Sequence, residues 1–220
     1  MLHDCLRKTL LAGNTRVPLV VTQLADGLAD RKLAQLCSRH GVPIVNTGDP
    51  NSHESLCRLR DAAPDAIFNI DSFAILRNPL LEIPPRGVVN FHNGPLPQYA
   101  GMNIPTWVIW NNESTHGVTW HFVDEGIDTG DIIAQAHFEV PSQATAISLT
   151  VKCIVEGIKL FDTVLAEVFS EQPTRRAQLG VRSQYRKRDV PNMGDIDFSW
   201  PIEKIDRLIR SLSFRPAPNP

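Results

Sequence analysis

The sequence predicts an α/β fold in which a mostly parallel, open sheet is flanked by helices. Short apolar runs that suit buried strands alternate with segments of helical periodicity, and this alternation is typical of parallel sheets. One apolar run ends in polar residues, as strands that lead into a ligand-binding loop do. With 220 residues and 42% apolar residues, the chain can bury one full core.

Local signals define the elements in order. Gly13 and Gly41 end the first two helices. Helices are predicted at 2–12, 30–40, 104–110 and 202–212, and strands at 17–22, 43–45, 66–70, 88–92, 117–123 and 195–198. A long helix is predicted from an apolar stripe that steps by four and three residues, at Ile147, Val151, Ile154, Ile158, Phe161, Leu165 and Val168. This order of elements is Rossmann-like.

The composition becomes polar and basic after Pro173. We therefore expect a main domain at 1–172 and a C-terminal extension or linker subdomain at 173–220. The proline-rich end, 215–220, is typical of a linker. A basic cluster in the extension is either a solvated surface or a docking surface for a phosphate-bearing substrate or partner. Its members are Arg175, Arg176, Arg182, Arg186, Lys187 and Arg188.

Charge and hydropathy exclude several classes of partner. A formal net charge of -2 and a pI near 6.4 give no general attraction to nucleic acid. No apolar stretch approaches the ~20 residues of a membrane span, so no membrane partner is expected. Four scattered cysteines and an N-terminus unlike a leader peptide indicate a reduced, cytoplasmic protein. The oligomeric state is left open.

An Asn-x-His pair lies at the end of the strand predicted at 88–92. Asn90 and His92 are two residues apart, so their side chains project from one face while Val89 and Phe91 face the other way. Open α/β sheets bind ligands at the carboxyl ends of their parallel strands. The pair is therefore either catalytic or a structural hydrogen-bonding group at a strand end.

Two further segments accompany this pair. The loop 93–101, with two prolines around Leu96, predicts a rigid wall. The strand at 117–123 leads into an acidic, glycine-containing turn at 124–131, which lacks the alternate ligand spacing of calcium loops, so no metal site is predicted. His121 points either into the same crevice or into the core, and His116 and His137 are expected at the surface.

Together these motifs resemble the folate-dependent formyltransferase family. They are Asn-x-His at 90–92, a Pro-Leu-Pro loop that ends in Tyr-x-Gly at 99–101, Gly-Val-Thr-x-His at 117–121 and Asp-x-Gly-x-Asp-Thr-Gly-Asp at 124–131. The likeness covers about 66–168 and is greatest to amine N-formyltransferases and to formylating domains of peptide and polyketide synthetases. It implies an enzyme of one-carbon metabolism that acts in natural product biosynthesis.

The resemblance also implies the reaction and its residues. The donor would be N10-formyltetrahydrofolate, without a metal, and the acceptor a primary amine or hydroxylamine of a small molecule or of a carrier-bound aminoacyl group. Neighbouring synthetase domains would then be partners. Asn90 and a protonated His92 would donate to the anionic oxygen of the tetrahedral intermediate, and Asp128 would hold His92 cationic and assist proton transfer. The residues implied to bind folate are Phe73, Ile75, Leu76, Val123, Asp124, Gly126 and Ile127, and those on the acceptor side are Leu96, Tyr99 and His121.

The sequence departs from this family in two places. Family members open with a strand, whereas here the first helix follows Met1 directly, so the first strand is expected to be missing. The loop at 93–97 is Asn-Gly-Pro-Leu-Pro where many relatives have Ser-Leu-Leu-Pro, so acceptor specificity is expected to differ. Two alternatives stay open, namely hydrolysis of the formyl-folate by water and a noncatalytic folate-binding or docking module.

Overall fold

The computed structural model describes residues 1–25 and 27–214. The helices of this part of the chain are α1 (Leu2–Leu11), α2 (Leu28–Arg39), α3 (His53–Ala62), α4 (Ile104–Trp110), α5 (Ala146–Phe169) and α6 (Ile202–Ser211). The strands are β1 (Val20–Thr22), β2 (Ile44–Asn46), β3 (Ile67–Asn69), β4 (Val88–His92), β5 (Tyr99–Gly101), β6 (Thr115–Phe122), β7 (Ile132–Glu139) and β8 (Ser183–Tyr185). None of the described helices is both long and apolar enough to cross a membrane.

The α/β fold predicted from the sequence is confirmed. Strands β3, β4, β6 and β7 form one sheet in that order, with β3 and β4 parallel and the other two pairings antiparallel. Two parallel pairs, β1 with β2 and β5 with β8, complete the described strands, so three of their five pairings are parallel. Strands β6 and β7 are antiparallel because the turn between them is shorter than the roughly dozen residues that a parallel crossover needs.

The apolar face of β4 packs against β6 and α5. The ring centroid of Phe91 lies 5.2 Å from that of Trp120, and Trp120 Nε1 donates to the carbonyl of Gly157 in α5 at 3.0 Å. A Cβ atom at Gly157 would collide with the Phe91 ring, so glycine allows α5 to approach the sheet closely. Since alternate side chains of a strand face opposite ways, this packing directs Asn90 and His92 away from the core.

The stripe predicted for α5 is wrong in its first half. Val151 is 52% exposed, and the helix is buried instead through Leu149, Cys153 and Gly157. From Phe161 onward every predicted position is buried, and Val164, which was not predicted, is buried with them. Because α5 is apolar around most of its circumference, several stripes of helical period exist, and periodicity alone does not select the one that faces the sheet.

The strand predicted at 195–198 is also wrong. Its residues form a turn in which Asp197 Oδ1 accepts hydrogen bonds from the amide and the hydroxyl of Ser199, at 2.9 and 2.6 Å. Such local bonding competes with strand formation. The structure also contains five elements that were not predicted, namely α3, β5, β7, β8 and a short 3-10 helix at Pro191–Gly194.

A gap separates the two main groups of strands. Among the described residues none bridges β1 and β3, and both strands, with α1 and α5, line a mostly apolar cleft with a volume of about 210 Å³. The amino group of Met1 lies 3.3 Å from the Asp71 carboxylate, just beyond β3. That a first strand of the family is missing stays a prediction.

The extension folds back onto the main sheet. Strand β8 pairs with β5, and Arg176 forms a backbone bridge with Ile132 at the start of β7. Helix α6 packs on α4, and nearby the Lys204 ammonium lies 3.7 Å from the ring centroid of Trp200. The boundary between 172 and 173 stays a prediction, and the linker predicted at 215–220 lies outside the described residues.

Candidate active site

Polar side chains from two adjacent strands converge at the carboxyl end of β4. In the antiparallel register with β6, Asn90 lies opposite His121 and His92 lies opposite Thr119. Residues directly opposite each other on neighbouring strands share a face of the sheet. His92 is 5% exposed and His121 2% exposed, so this polar cluster is largely removed from bulk water.

Asp128 reaches the cluster from the turn between β6 and β7. Its φ of +52° lies in the left-handed region, which aspartate tolerates better than most residues do. The turn is closed by Asp124 Oδ1, which accepts from the amide of Gly126 at 3.0 Å. This conformation places the Asp128 carboxylate 3.5 Å from His92 Nδ1 and 3.5 Å from His121 Nε2.

Asp128 is the anion of the site. The Gly101 amide donates to Asp128 Oδ2 at 2.8 Å. Although burial favours the neutral acid, the interaction with the His92 imidazole and the hydrogen bond from this amide hold the pKa of Asp128 well below its ordinary value. The carboxyl group is therefore ionised at neutral pH.

Both ring nitrogens of His92 have a partner. Nε2 lies 2.5 Å from the Tyr99 carbonyl oxygen, and because a carbonyl only accepts, Nε2 carries a proton. Burial lowers the pKa of His92 more than Asp128 and Tyr99 raise it, so the ring is neutral at rest and Nδ1 is unprotonated. The expectation that a resting cationic His92 donates to the formyl oxygen finds no support here. The His92–Asp128 pair can instead accept one proton.

Asn90 belongs to a chain of hydrogen bonds. Asn69 Nδ2 lies 2.8 Å from Asn90 Oδ1, and Asn90 Nδ2 lies 3.1 Å from His121 Nε2. His121 Nδ1 in turn lies 2.7 Å from the Phe122 carbonyl oxygen. The amide nitrogen of Asn90 has two hydrogens, so one is left to donate to a ligand.

Asn69 and Gly101 were not predicted as site residues. Asn69 ends β3 and is the parallel-register neighbour of Asn90. The rule that located Asn90, polar residues at the carboxyl end of a parallel strand, would also have identified Asn69. Gly101 acts through its backbone amide, for which the sequence carries no local signal.

Two residues of the extension hold the turn that carries Asp128. Gln178 Nε2 donates to the carbonyls of Asp128 and Gly130 at 2.9 and 2.8 Å. Arg182 donates to the Asp128 carbonyl at 3.0 Å and to the Ile127 carbonyl. Arg182, which the sequence placed in a basic surface cluster, is therefore part of the support of the site.

Arg182→Ala is expected to lower the kcat of the reaction at this site by roughly 10-fold while the protein stays folded. Hydrogen bonds to charged donors contribute about 1.5–3 kcal/mol to the stability of the structure they hold. A small misplacement of a reacting group lowers the reaction rate substantially. Arg188→Ala, at an exposed position of the same basic cluster, is the matched control and should behave as wild type. Equal kcat values for the two variants, with equal circular dichroism spectra, would show that the turn does not depend on Arg182.

The folate-binding residues expected after β3 fall into two groups. Phe73 is 88% exposed and Ile75 is 52% exposed, so both offer apolar surface to a ligand. Leu76 is buried with Leu56 and Leu59 in a core cluster. Its side chain therefore supports the fold at this position and has little surface left for a folate ring.

The other expected folate-binding residues lie on or beside the turn of Asp128. Val123 is half-buried, and its amide donates to the Val88 carbonyl at 2.8 Å. Asp124 and Gly126 are exposed, and Ile127 is 38% exposed. The structure thus places this apolar and backbone surface next to the carboxylate of the site.

The loop that follows β4 is held firmly by β6 and β7. The Leu96 amide donates to Thr119 Oγ1 at 3.1 Å, and Gln135 Nε2 donates to the Leu96 carbonyl at 3.0 Å. The Leu96 side chain is buried, so on the acceptor side this residue contributes rigidity rather than open surface. The expected wall is present.

Tyr99 contributes only its carbonyl to the His92 cluster. Its hydroxyl donates to Glu113 at 2.7 Å, and its ring stacks on Tyr185 at a centroid distance of 5.8 Å. These rings border a polar cleft with a volume of about 450 Å³. Within the described residues, no group of three or more His, Cys, Asp or Glu side chains is arranged to hold a metal ion.

His116 was expected at the surface, and this expectation is wrong. It is 1% exposed, and its Nε2 donates to the Asn93 carbonyl at 3.0 Å. Burial lowers the pKa of His116 to about 4. His137 is exposed, as predicted.

Folding stability is expected to decrease as the pH falls from about 6.5 to about 4, by about 3 kcal/mol through His116 alone. Above this range His116 is neutral in both states, whereas within it the unfolded chain binds a proton that the folded protein excludes. The neighbouring titratable groups are His92, His137 and Glu113. Urea unfolding of His116→Gln, whose amide can still donate to Asn93, should show a shallower dependence on pH, and an unchanged slope would contradict this assignment.

An open α/β crevice that contains an amide donor and a buried imidazole–carboxylate pair has the two components that acyl-type group transfer uses, a donor for a developing anion and a group that exchanges protons. The family model described as formyl transferase matches residues 12–165, which include Asn90, His92 and Asp128. The chain belongs to the formyl transferase family.

Curated relatives include formyltransferases of two kinds. The GDP-perosamine N-formyltransferase of Brucella melitensis is 36% identical over 155 residues, which cover 70% of this chain and 59% of the relative. The methionyl-tRNA formyltransferase of Clostridioides difficile is 28% identical over 219 residues, which cover 97% of this chain and 71% of the relative. The chain thus spans 59% of the length of the GDP-perosamine enzyme.

Solved structures share the fold. An N-formyltransferase from Helicobacter canadensis, in complex with folinic acid and dTDP-3-aminofucose, has a TM-score of 0.75 at 21% identity and covers 97% of this chain and 77% of that one. A 4-N formyltransferase from Francisella tularensis has a TM-score of 0.76 at 19% identity and covers 99% of this chain and 86% of that one. At these identities the likeness shows the fold, which confirms the Rossmann-like prediction.

Proposed function

We propose that the chain transfers a formyl group from N10-formyltetrahydrofolate to a primary amine, and that the amine belongs to a nucleotide-linked amino sugar. The observation that carries this proposal is the convergence of Asn90, His92 and Asp128 in one buried polar cluster. The names of the relatives, which include GDP-perosamine and dTDP-3-aminofucose, support the acceptor class. A carrier-bound acceptor and neighbouring synthetase domains stay predictions.

The proposed mechanism uses one donor and one proton relay. The amine attacks the formyl carbon, a C–N bond forms, and the carbonyl oxygen becomes anionic and accepts from the free hydrogen on Asn90 Nδ2. Removing a donor of this kind lowers rates by about 10²–10³-fold. The attacking nitrogen, now cationic, passes a proton to the His92–Asp128 pair. The pair gives that proton to N10 as the C–N10 bond breaks, so a formamide and tetrahydrofolate leave.

The surface beside the turn supports a folate as donor. Asn78 Nδ2 donates to Glu125 Oε1 at 3.2 Å, which ties the segment after β3 to the turn of Asp128. Phe73, Ile75 and Ile127 expose apolar side chains on these two segments. Ligand sites typically combine such apolar surface with a few polar backbone groups, and a pterin ring needs both.

The proposal is tested by offering the protein N10-formyltetrahydrofolate with a panel of amines. The panel contains GDP-perosamine, dTDP-3-aminofucose, a hydroxylated ornithine and a carrier-bound aminoacyl group. Release of tetrahydrofolate is followed by absorbance and the formamide by mass spectrometry, and we expect formylation of an amino sugar nucleotide. Formate release that is independent of every amine would identify a formyltetrahydrofolate hydrolase. Tetrahydrofolate binding in calorimetry without turnover would identify a noncatalytic module.

A further inference from the structure

The direction of each hydrogen bond in the chain from Asn69 to Phe122 is determined at its far end. The Phe122 carbonyl only accepts, so His121 Nδ1 carries a proton. In a neutral His121 the Nε2 atom then has a lone pair, and Asn90 must turn its amide nitrogen toward it. Asn90 Oδ1 consequently faces Asn69, which must donate. One backbone carbonyl thus orients two asparagine amides.

We infer that Asn69 is a positioning residue for formyl transfer: by donating to Asn90 Oδ1 it keeps the Asn90 amide nitrogen turned toward His121. This inference rests on the proposed function, in which that nitrogen donates to the anionic oxygen. A 180° rotation of the Asn90 amide would present an acceptor there, and an acceptor repels the developing charge. Asn69 acts only through Asn90, its register neighbour on β4.

The neighbouring charged groups show what would reverse the direction of these hydrogen bonds. The titratable groups near it are His121, Asp128 and His92, while Asp71, beyond β3, is paired with the amino group of Met1. A proton on His121 Nε2 would make that atom a donor and would turn the Asn90 amide around. A carboxylate at position 69 would have the same effect from the other end, because it only accepts.

The test compares two substitutions: one removes only the hydrogen-bond donor of Asn69, and the other removes the donor together with most of the side-chain volume. Asn69→Asp preserves size and removes the donor, and it should lower kcat about 100-fold because the Asn90 amide is inverted. Asn69→Ala removes both, leaves Asn90 free to adopt either orientation, and should lower kcat by only about 3–10-fold. KM for N10-formyltetrahydrofolate should stay near that of wild type in both. If Asn69 only fills space, the isosteric aspartate variant will be the more active of the two, and the inference is overturned.

The pH profile provides a second test. Asn69→Asp should regain activity relative to wild type as the pH falls, since a protonated carboxyl group can donate to Asn90 Oδ1 again. Asn69→Ala should show no such recovery. If the activities of both variants, each taken relative to wild type, changed with pH in parallel, the role of the donor would be contradicted.

An independent measurement does not require turnover. Nitrogen-15 NMR of the histidine side chains should show His121 protonated at Nδ1 and bare at Nε2 in wild type, with Nε2 protonated in Asn69→Asp. An unchanged His121 tautomer would overturn the inference. Asn90→Ala separates this outcome from failure of the proposed function. Full formyl transfer by Asn90→Ala would refute the role of Asn90 itself. If Asn90→Ala loses transfer while Asn69→Asp is fully active, only the positioning by Asn69 is refuted.

Discussion

Asp128→Asn is expected to reduce formyl transfer by about 10³-fold or more while the affinity for tetrahydrofolate changes by less than about threefold. The substitution preserves an oxygen that can accept from the Gly101 amide, so the turn should keep its conformation. In the proposed mechanism, it removes the negative charge that, with His92, accepts the proton of the attacking amine. The substitution is thus expected to impair catalysis while the affinity for tetrahydrofolate is largely retained.

The measurement is single-turnover transfer followed by mass spectrometry, together with calorimetric titration of tetrahydrofolate. Asp131→Asn, a chemically identical change three residues further along the chain, serves as the matched control and should retain transfer. Normal turnover by Asp128→Asn would refute the role of the carboxylate. Loss of folate affinity to the same extent as turnover would assign Asp128 to donor binding instead.

Gly101→Ala is expected to destabilise the protein by about 3 kcal/mol or more and to impair transfer as well. Gly101 has a φ of +94°, and a Cβ atom there would collide with the backbone carbonyl oxygen of Tyr185. Because that oxygen belongs to β8, relief of the collision requires β5 and β8 to move apart. The Gly101 amide would then move away from the Asp128 carboxylate, so one methyl group affects both the fold and the charge of the site.

The control separates backbone strain from the collision. Gly180 has a φ of +110°, and apart from its own and its chain neighbours' atoms no described heavy atom lies within 4 Å of a Cβ built there. Gly180→Ala should therefore cost only about 1–2 kcal/mol, which corresponds to a Tm decrease of about 2–8 °C for a chain of this size. A similar Tm for the two variants would show that the contact of Gly101 with β8 is dispensable.

Patterns that are local in sequence predicted the elements that position the site. The strand at 88–92 and the helix at 104–110 have the same bounds in the structure, because β-branched apolar runs and a proline in the first helical turn are strong signals. Helix α3 was missed because it is polar, although Ser52 caps it by accepting from the Ser55 amide. Strand β7 was missed because it is only partly buried and lacks a clean alternation.

The residues of the candidate site, like the helices and strands, were predicted only in part. Asn90 and His92 followed from strand periodicity, whereas Asp128 came from the order of motifs. The contacts that hold these residues were not visible, since they join positions far apart: Gly101 to Asp128 across 27 residues, and Arg182 to Asp128 across 54. Helical and strand periods report which face of an element is buried, and they contain no information about which backbone carbonyl a distant side chain will contact.

The attachment of the extension to the turn of Asp128 has a practical consequence for anyone who builds this chain into a fusion protein. A fragment cut at residue 172 would contain every residue that the family match covers and would still lack Gln178, Arg182 and β8. We expect such a fragment to catalyse formyl transfer poorly in a chimeric synthetase, because no side chain of the extension would hold the turn that carries Asp128. The shortest fragment that keeps these contacts ends beyond Tyr185.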